Sequence, residues 1–314
     1  MNQSSAPRTG RFSTATLVAV VVAAAVVAGC GLGSKKESSS EPPRSSLGEA
    51  SPAQPAKQTL TVGKTVWYLG FKWTFETLTF DPQEDGAQLT GEVLAENLSK
   101  RDYTPDVGLM LSVGGHQYEG YFEDATLVGG LQKSRQKVAF RLDGNTFAGD
   151  FGSGEILVGN ANNTQARVPL GSAGTLVANE PRMVLAGSHE VRIHEMSVWL
   201  KNCELRPDVV PSHEQAKKGY TMLACGVDLQ RHLDGGNGYG FGSGNLRLKM
   251  PDGTTVGPTD YPSEALYTSA IVPDGYVSFM IPDTTKGRAA VQVVIPEVFK
   301  AAKPGDTKDV PVTL

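Results

Sequence analysis

The sequence repeats itself, and this repetition constrains the fold more than any other feature. Landmarks within residues 62–170 recur in the same order within residues 186–312, with a drift of a few residues in spacing. The matched runs are Val62-Gly63 with Ala186-Gly187, Trp73-Thr74-Phe75 with Val198-Trp199-Leu200, Val138-Ala139-Phe140 with Val277-Ser278-Phe279, and Val168-Pro169-Leu170 with Val310-Pro311-Val312. We therefore predict one domain fold used twice, over residues 59–172 and 180–314.

Each repeat has the pattern of antiparallel β-strands. Apolar residues alternate, as in Phe71, Trp73 and Phe75, and turn residues recur at short intervals. The chain contains 36 Gly and 19 Pro, which favours many turns over long helices. We predict an all-β protein with two tandem immunoglobulin-like β-sandwich domains. The single helical candidate is a short turn around residues 213–218.

The opening of the first repeat has a distinctive pattern. The run Val62-Gly63-Lys64-Thr65-Val66, followed by Phe71-Lys72-Trp73-Thr74-Phe75, resembles the telokin-like, immunoglobulin-fold domains of bacterial lipoproteins of unknown function. These include secreted immunogenic proteins of actinobacteria, and the resemblance covers most of residues 59–314. It implies a sandwich fold and supplies no catalytic residues to transfer.

The N-terminus has the pattern of a lipoprotein signal peptide. Residues 1–13 are polar with Arg8 and Arg11, and residues 15–28 form an apolar run that is shorter than the ~20 residues of a spanning helix. It ends in Val27-Ala28-Gly29-Cys30, which resembles the bacterial lipobox. Residues 1–29 are thus predicted to be cleaved, and Cys30 to carry fatty acyl chains such as palmitate. The alternative is an ordinary signal peptide with an incidental cysteine.

The segment after the signal peptide and the overall charge indicate the location of the protein and the partners that it can bind. Residues 30–58 contain the lipidated Cys30 and a Ser/Pro-rich linker with few large apolar side chains, so we predict a disordered tether. The formal net charge is −4 and basic residues are scattered, which argues against nucleic-acid binding. We expect an extracytoplasmic protein that is anchored by lipid to the cell membrane.

Two further cysteines, Cys203 and Cys225, lie in the second repeat. They fall on neighbouring predicted strands of an exported chain, which favours a disulfide, with two free buried thiols as the alternative. The equivalent positions of the first repeat lie near Leu78 and Gly91, so the fold itself does not depend on the bridge.

Patterns for metal sites are incomplete. The run Asp81-Pro82-Gln83-Glu84-Asp85-Gly86, followed by Glu92, approaches a calcium loop, but its flanks have strand patterns and a hairpin loop is favoured. His189 and His194 are five residues apart, which places them on opposite faces of a strand. We therefore expect no metal and no cofactor.

Patterns for catalysis are also incomplete. Three serines stand in Gly-rich surroundings without completing a Gly-x-Ser-x-Gly elbow: Ser153, Ser172 and Ser243. We expect no enzyme, although strand pairing could assemble a convergent site that the spacing conceals.

Two aromatic clusters are the candidate contact loops. Tyr118, Tyr121 and Phe122 lie in the first, and Tyr239 and Phe241 stand among glycines in the second. Aromatic side chains on loops can bind sugars, peptides or proteins. The alternative is that they pack back onto the sandwich.

These features predict a non-enzymatic interaction module of the cell envelope, which binds a protein or wall component. The alternative is a carrier of a small ligand, either a lipid or a metabolite, with an apolar pocket.

Overall fold

A computed structural model describes residues 56–83, 86–143, 151–233, 238–296 and 306–314. Residues 52–314 form one compact unit that contains all of them. The predicted signal peptide, Cys30 and most of the tether lie outside the described residues. Strands dominate, so the predicted all-β class is confirmed. Across the described ranges, no helix has the length and apolar character needed to cross a membrane.

Eight strands lie in the described part of the first half of this unit. They are β1 Gln58–Tyr68, β2 Phe71–Gln83, β3 Gly86–Asn97, β4 Leu109–Val113, β5 His116–Phe122, β6 Lys133–Asp143, β7 Glu155–Val158 and β8 Ala166–Pro169. They form one antiparallel sheet in the order β1-β2-β3-β6-β5-β4-β7-β8. The sheet is continuous because Gly120–Phe122 of β5 pairs with β6.

Twelve strands of the described ranges follow in the second half. They are β9 Arg182–Ile193, β10 Met196–Arg206, β11 Asp208–Val209, β12 Glu214–Gln215, β13 Tyr220–Arg231, β14 Tyr239–Phe241, β15 Leu246–Lys249, β16 Thr255–Val256, β17 Glu264–Leu266, β18 Ile271–Pro282, β19 Arg288–Val294 and β20 Thr307–Thr313. A 3-10 turn at Ser243–Asn245 precedes β15.

The second half uses the same strand order in two separate sheets. The order β18-β13-β10-β9 corresponds to β6-β3-β2-β1, and β16-β15-β19-β20 corresponds to β5-β4-β7-β8. The order therefore agrees with the internal repeat of the sequence. The immunoglobulin-like class of each half and the domain boundaries stay predictions.

Each half has its own hydrophobic core. The first is built around the alternating residues Phe71, Trp73 and Phe75 of β2, all at most 1% exposed. The second contains Met196, Val198 and Leu200 of β10, again alternate residues of one strand. Since successive side chains of a strand point to opposite faces, this period of two places every second residue in the core.

Two local predictions are wrong. Residues 213–218 form no helical turn, because Glu214–Gln215 is strand β12, paired with β11. Residues 116–122 are strand β5 and not a loop. Gly114 and Gly115 both have positive φ, 59° and 79°, and make the two-residue hairpin that joins β4 to β5.

Candidate functional site

Cys203 of β10 and Cys225 of β13 form a disulfide, as predicted. Both are fully buried, and their Cα atoms are 4.1 Å apart. In the first half Leu78 and Gly91 face each other in the same place. A Cβ on Gly91 would stand 2.4 Å from the Leu78 Cδ2 atom. The leucine side chain therefore fills the space that the disulfide fills in the second half.

The first aromatic cluster divides between core and surface. Tyr118 and Phe122 are partly buried against the first core, and the Phe122 ring centroid lies 5.6 Å from that of Trp73. Tyr121, with 46% of its surface exposed, points to the opposite face of β5. Of these three predicted contact residues, Tyr121 offers its ring to a partner.

The second aromatic cluster is part of the core. Tyr239 is 6% exposed and Phe241 is 2% exposed, because β14 pairs with β17 and turns both rings inward. Asn245 also donates a hydrogen bond of 3.0 Å to the Tyr239 hydroxyl. Both rings pack onto the core, which was the alternative interpretation. The prediction that these two residues form a contact surface is wrong.

The described residues of the incomplete metal-site patterns lie apart from one another. His189 is exposed on β9, whereas His194 lies in the following turn and bonds Asp306 at 2.6 Å. Asp81 forms an ion pair with Lys57 at 2.8 Å, and part of the calcium-like run lies outside the described residues. Within the described ranges, no three His, Cys, Asp or Glu side chains are grouped so that they could hold a metal ion.

Strand pairing brings together a serine, a histidine and a glutamate that the spacing did not reveal. The Ser197 hydroxyl lies 2.6 Å from Glu190 Oε1 and 2.8 Å from His232 Nε2. In a catalytic triad the acid orients the histidine, whereas here it accepts a hydrogen bond from the serine. Ser197 is also fully buried, so its hydroxyl is closed to a substrate. The group is a polar cluster on the sheet and does not have the geometry of a hydrolase.

An open groove of about 390 Å³ lies at one end of the first half. Polar side chains, including Gln83, Gln88, Arg141 and Asp143, line it. A carrier of lipids needs a mainly apolar lining, so this groove does not favour the carrier alternative.

A further polar site joins the two halves. Residues 207–219, between β10 and β13, contact the β1–β2 turn and the connections after β3 and β7. Three of their side chains, although polar, are buried: Asp208, His213 and Gln215. Backbone hydrogen bonds from Thr164 to Ala216 and from Lys218 to Asn162 add to the contact. We call this contact the joint.

A buried ion pair anchors the joint on the side of the second half. Arg206 Nε donates to Asp208 Oδ1 at 2.7 Å, and Arg206 Nη1 donates to Glu204 at 3.0 Å. Burial acts to lower the pKa of Arg206, but attraction to Asp208, Tyr276 and Glu204, together with the hydrogen bond to Asp208, outweighs burial, and the pKa is raised. The guanidinium therefore stays charged and fixes the Asp208 carboxylate. The other oxygen of Asp208 accepts from the backbone N–H of Gly70, in the first half.

Comparisons with known proteins identify no family. No family model matches the chain, and no curated protein matches it. Among solved structures, the crystal structure of the conserved domain protein from Bacillus anthracis is similar over 82% of this chain and 90% of that chain. The identity is 9% and the TM-score is 0.23, a likeness too loose to carry an argument about function.

Proposed function

We propose that this protein is a membrane-anchored, non-enzymatic interaction module of the cell envelope. The observation that carries the proposal is the run Val27-Ala28-Gly29-Cys30 at the end of a short apolar segment, which is the pattern of a lipidated cysteine. The Cys203–Cys225 disulfide supports it, because disulfides persist in oxidising compartments outside the cytoplasm.

The distance from Cys30 to β1 sets the working range of the folded unit. Residues 31–57, as a flexible coil, would have a root-mean-square reach of about 30 Å. This reach would lift the sheets clear of the lipid headgroups while holding them close to the membrane. Partners in the envelope within that range would be met at a high effective concentration.

The face of β5 that carries Tyr121 is the proposed contact surface. Tyr121 lies across from Ala139 of β6, which lies across from Thr90 of β3. These side chains lie on the face of the sheet opposite the first core, where Ala139 is fully buried and Tyr121 is 46% exposed. An exposed aromatic ring is a common anchor in protein recognition.

Two experiments test the proposal. Metabolic labelling with an alkyne fatty acid should mark the wild type and fail to mark Cys30→Ala, which should also leave the membrane fraction. Equal labelling of the two proteins would refute lipidation at Cys30.

The second experiment places a photo-crosslinking phenylalanine at Tyr121 in intact cells. Tyr267, which is 60% exposed in the second half, provides the matched control position. We expect a specific adduct from position 121 that the control position does not give and that Cys30→Ala abolishes. The same adducts from both positions would refute the proposed face, and an absence of adducts from every exposed position probed would refute an interaction module.

A further inference from the structure

The joint depends on an insertion that only the second half contains. Two residues connect β2 to β3, whereas residues 207–219 connect the equivalent strands β10 and β13. The buried polar side chains of this insertion find partners in the first half. These side chains are satisfied in the interior only while the two halves are in contact. A buried polar group without a partner costs free energy.

Three side chains of the insertion bind the β1–β2 turn at Leu69 and Gly70. Gln215 Oε1 accepts from Leu69 N at 3.0 Å, and Asp208 Oδ2 accepts from Gly70 N at 2.5 Å. His213 Nδ1 lies 2.8 Å from the Leu69 carbonyl oxygen. The free backbone groups of one hairpin turn are thus satisfied by side chains more than 130 residues away.

Leu69 is held in a conformation that its side chain disfavours. Its φ is +53° and that of Gly70 is +74°, the left-handed pair of a tight hairpin turn. The β4–β5 hairpin of the same sheet has glycine at both such positions. A leucine there stores strain of about 1 kcal/mol or more, and such strain persists where surrounding contacts impose it. Here, those contacts come from the joint.

His213 occupies the centre of the joint and is 6% exposed. A carbonyl oxygen can only accept a hydrogen bond, so Nδ1 carries a proton and donates a hydrogen bond to the Leu69 carbonyl oxygen. Nε2 lies 3.2 Å from the Ser99 hydroxyl, and the ring stacks on Tyr103 with centroids 3.7 Å apart. The single proton of the Ser99 hydroxyl also faces the Arg101 carbonyl oxygen at 2.8 Å and Asn97 Oδ1 at 2.9 Å, so the bond at Nδ1 is the one whose direction the geometry fixes.

The groups that face His213 offer little compensation for a positive charge. From the first half they are the Leu69 carbonyl, the Ser99 hydroxyl, and the rings of Phe71 and Tyr103. From its own segment, Asp208 attracts a charge on His213, but Arg206 already pairs with that carboxylate.

The phenols of Tyr68 and Tyr276 stay neutral in the pH range of a histidine. Burial raises the pKa of Tyr68 and of Tyr276. Burial also lowers the pKa of His213, against the opposing effects of its bond to Leu69 and the charge of Asp208.

We propose that His213 makes the joint acid-sensitive, so that the two halves are locked at neutral pH and separate more readily in acid. An opened joint exposes the imidazole to water, where it binds a proton near its ordinary pKa of 6.5. The closed joint binds this proton only at lower pH. The opening equilibrium is therefore unaffected well above pH 6.5 and grows as the pH falls through 6.5 towards the pKa of the closed form. Between pH 7.5 and 5.5 the gain is limited to about tenfold.

Hydrogen exchange of the full chain at pH 7.5 and 5.5 tests the proposal. After correction for intrinsic exchange, we expect amides 69 and 70 to open up to about tenfold more at pH 5.5. Amides in the centre of β3 should not change. His213→Gln keeps a donor for Leu69 and does not titrate, so it should abolish the pH dependence. His189→Gln, on the exposed part of β9, should leave it intact.

Equal opening at both pH values in the wild type, or an unchanged pH response in His213→Gln, would overturn the proposal. If His213→Gln fails to fold, the wild type still decides the question. A titration of the carbon-13 labelled His213 ring should give a pKa below 6.5, and a value at or above 6.5 overturns acid opening.

Discussion

Replacing the disulfide by the leucine–glycine pair of the first half should preserve the packing and lose the covalent link. The change is Cys203→Leu together with Cys225→Gly, which copies Leu78 and Gly91 into the second half. In the first half the leucine occupies the side-chain space above the glycine. The matched control is Cys203→Ala with Cys225→Ala, which leaves the same space unfilled.

The magnitudes follow from loop entropy and from packing. The cysteines are 22 residues apart, so the link lowers the entropy of the unfolded chain by an amount worth about 3 kcal/mol. Both variants lose this contribution. The alanine variant should lose roughly a further 2 kcal/mol, because two buried sulfur atoms leave a cavity. The leucine variant should lose less than about 1 kcal/mol beyond the link, mainly from glycine in a strand.

Equilibrium denaturation with urea, with and without reductant, measures these differences. Samples should be equilibrated from the unfolded state so that the buried disulfide reacts. Reductant should lower the unfolding free energy of the wild type by about 3 kcal/mol and leave both variants unchanged. Equal stability of the two variants would refute the packing argument, and a wild type that is insensitive to reductant would refute the entropic one.

Four further substitutions probe other parts of the structure by chemical denaturation. Asp208→Ala removes the partner of a buried guanidinium and should cost about 3–5 kcal/mol; a cost below 1 kcal/mol would contradict a buried ion pair. Gly159→Ala places a Cβ 2.2 Å from the Tyr68 ring at a φ of +103°, so we expect about 1–3 kcal/mol, and an unchanged midpoint would argue against this close contact. Phe241→Ala should cost about 3–5 kcal/mol and Tyr121→Ala less than 0.5 kcal/mol; the reverse order would place the wrong ring in the core.

The disulfide was predictable because Cys203 and Cys225 fall on neighbouring strand patterns of a chain that is predicted to be exported. The alternation of apolar residues marks both strands. The all-β class follows from the same alternation. These inferences depend on the two-residue period of apolar side chains along a strand, which is visible in a single sequence.

Two strands were missed although local signals were present. Gly114-Gly115 between alternating residues is a hairpin signal that predicts β5. The run Tyr239-Gly240-Phe241 places two rings at a period of two, which indicates a strand with both rings on one face. In both cases, the glycines were interpreted as marks of a loop and concealed the strand pattern.

The joint was beyond prediction for a different reason. Asp208, His213 and Gln215 find their partners 138–146 residues away in sequence, and no local pattern records such a contact. The cluster of Ser197 with Glu190 and His232 is similar, because the pairing of three strands assembles it. Side chains whose partners are distant in sequence follow no fixed spacing, so a single sequence does not reveal their contacts.

The strained turn at Leu69 also affects the order in which the protein can mature. An exported chain that crosses the membrane with its N-terminus first presents the first half before Gln215, which lies 146 residues after Leu69. Until Gln215 has crossed, the β1–β2 hairpin has no partner that stabilises its left-handed leucine. The first half should therefore complete its folding only when the second half is present. A Leu69→Gly variant, which relieves the strain, should weaken this dependence.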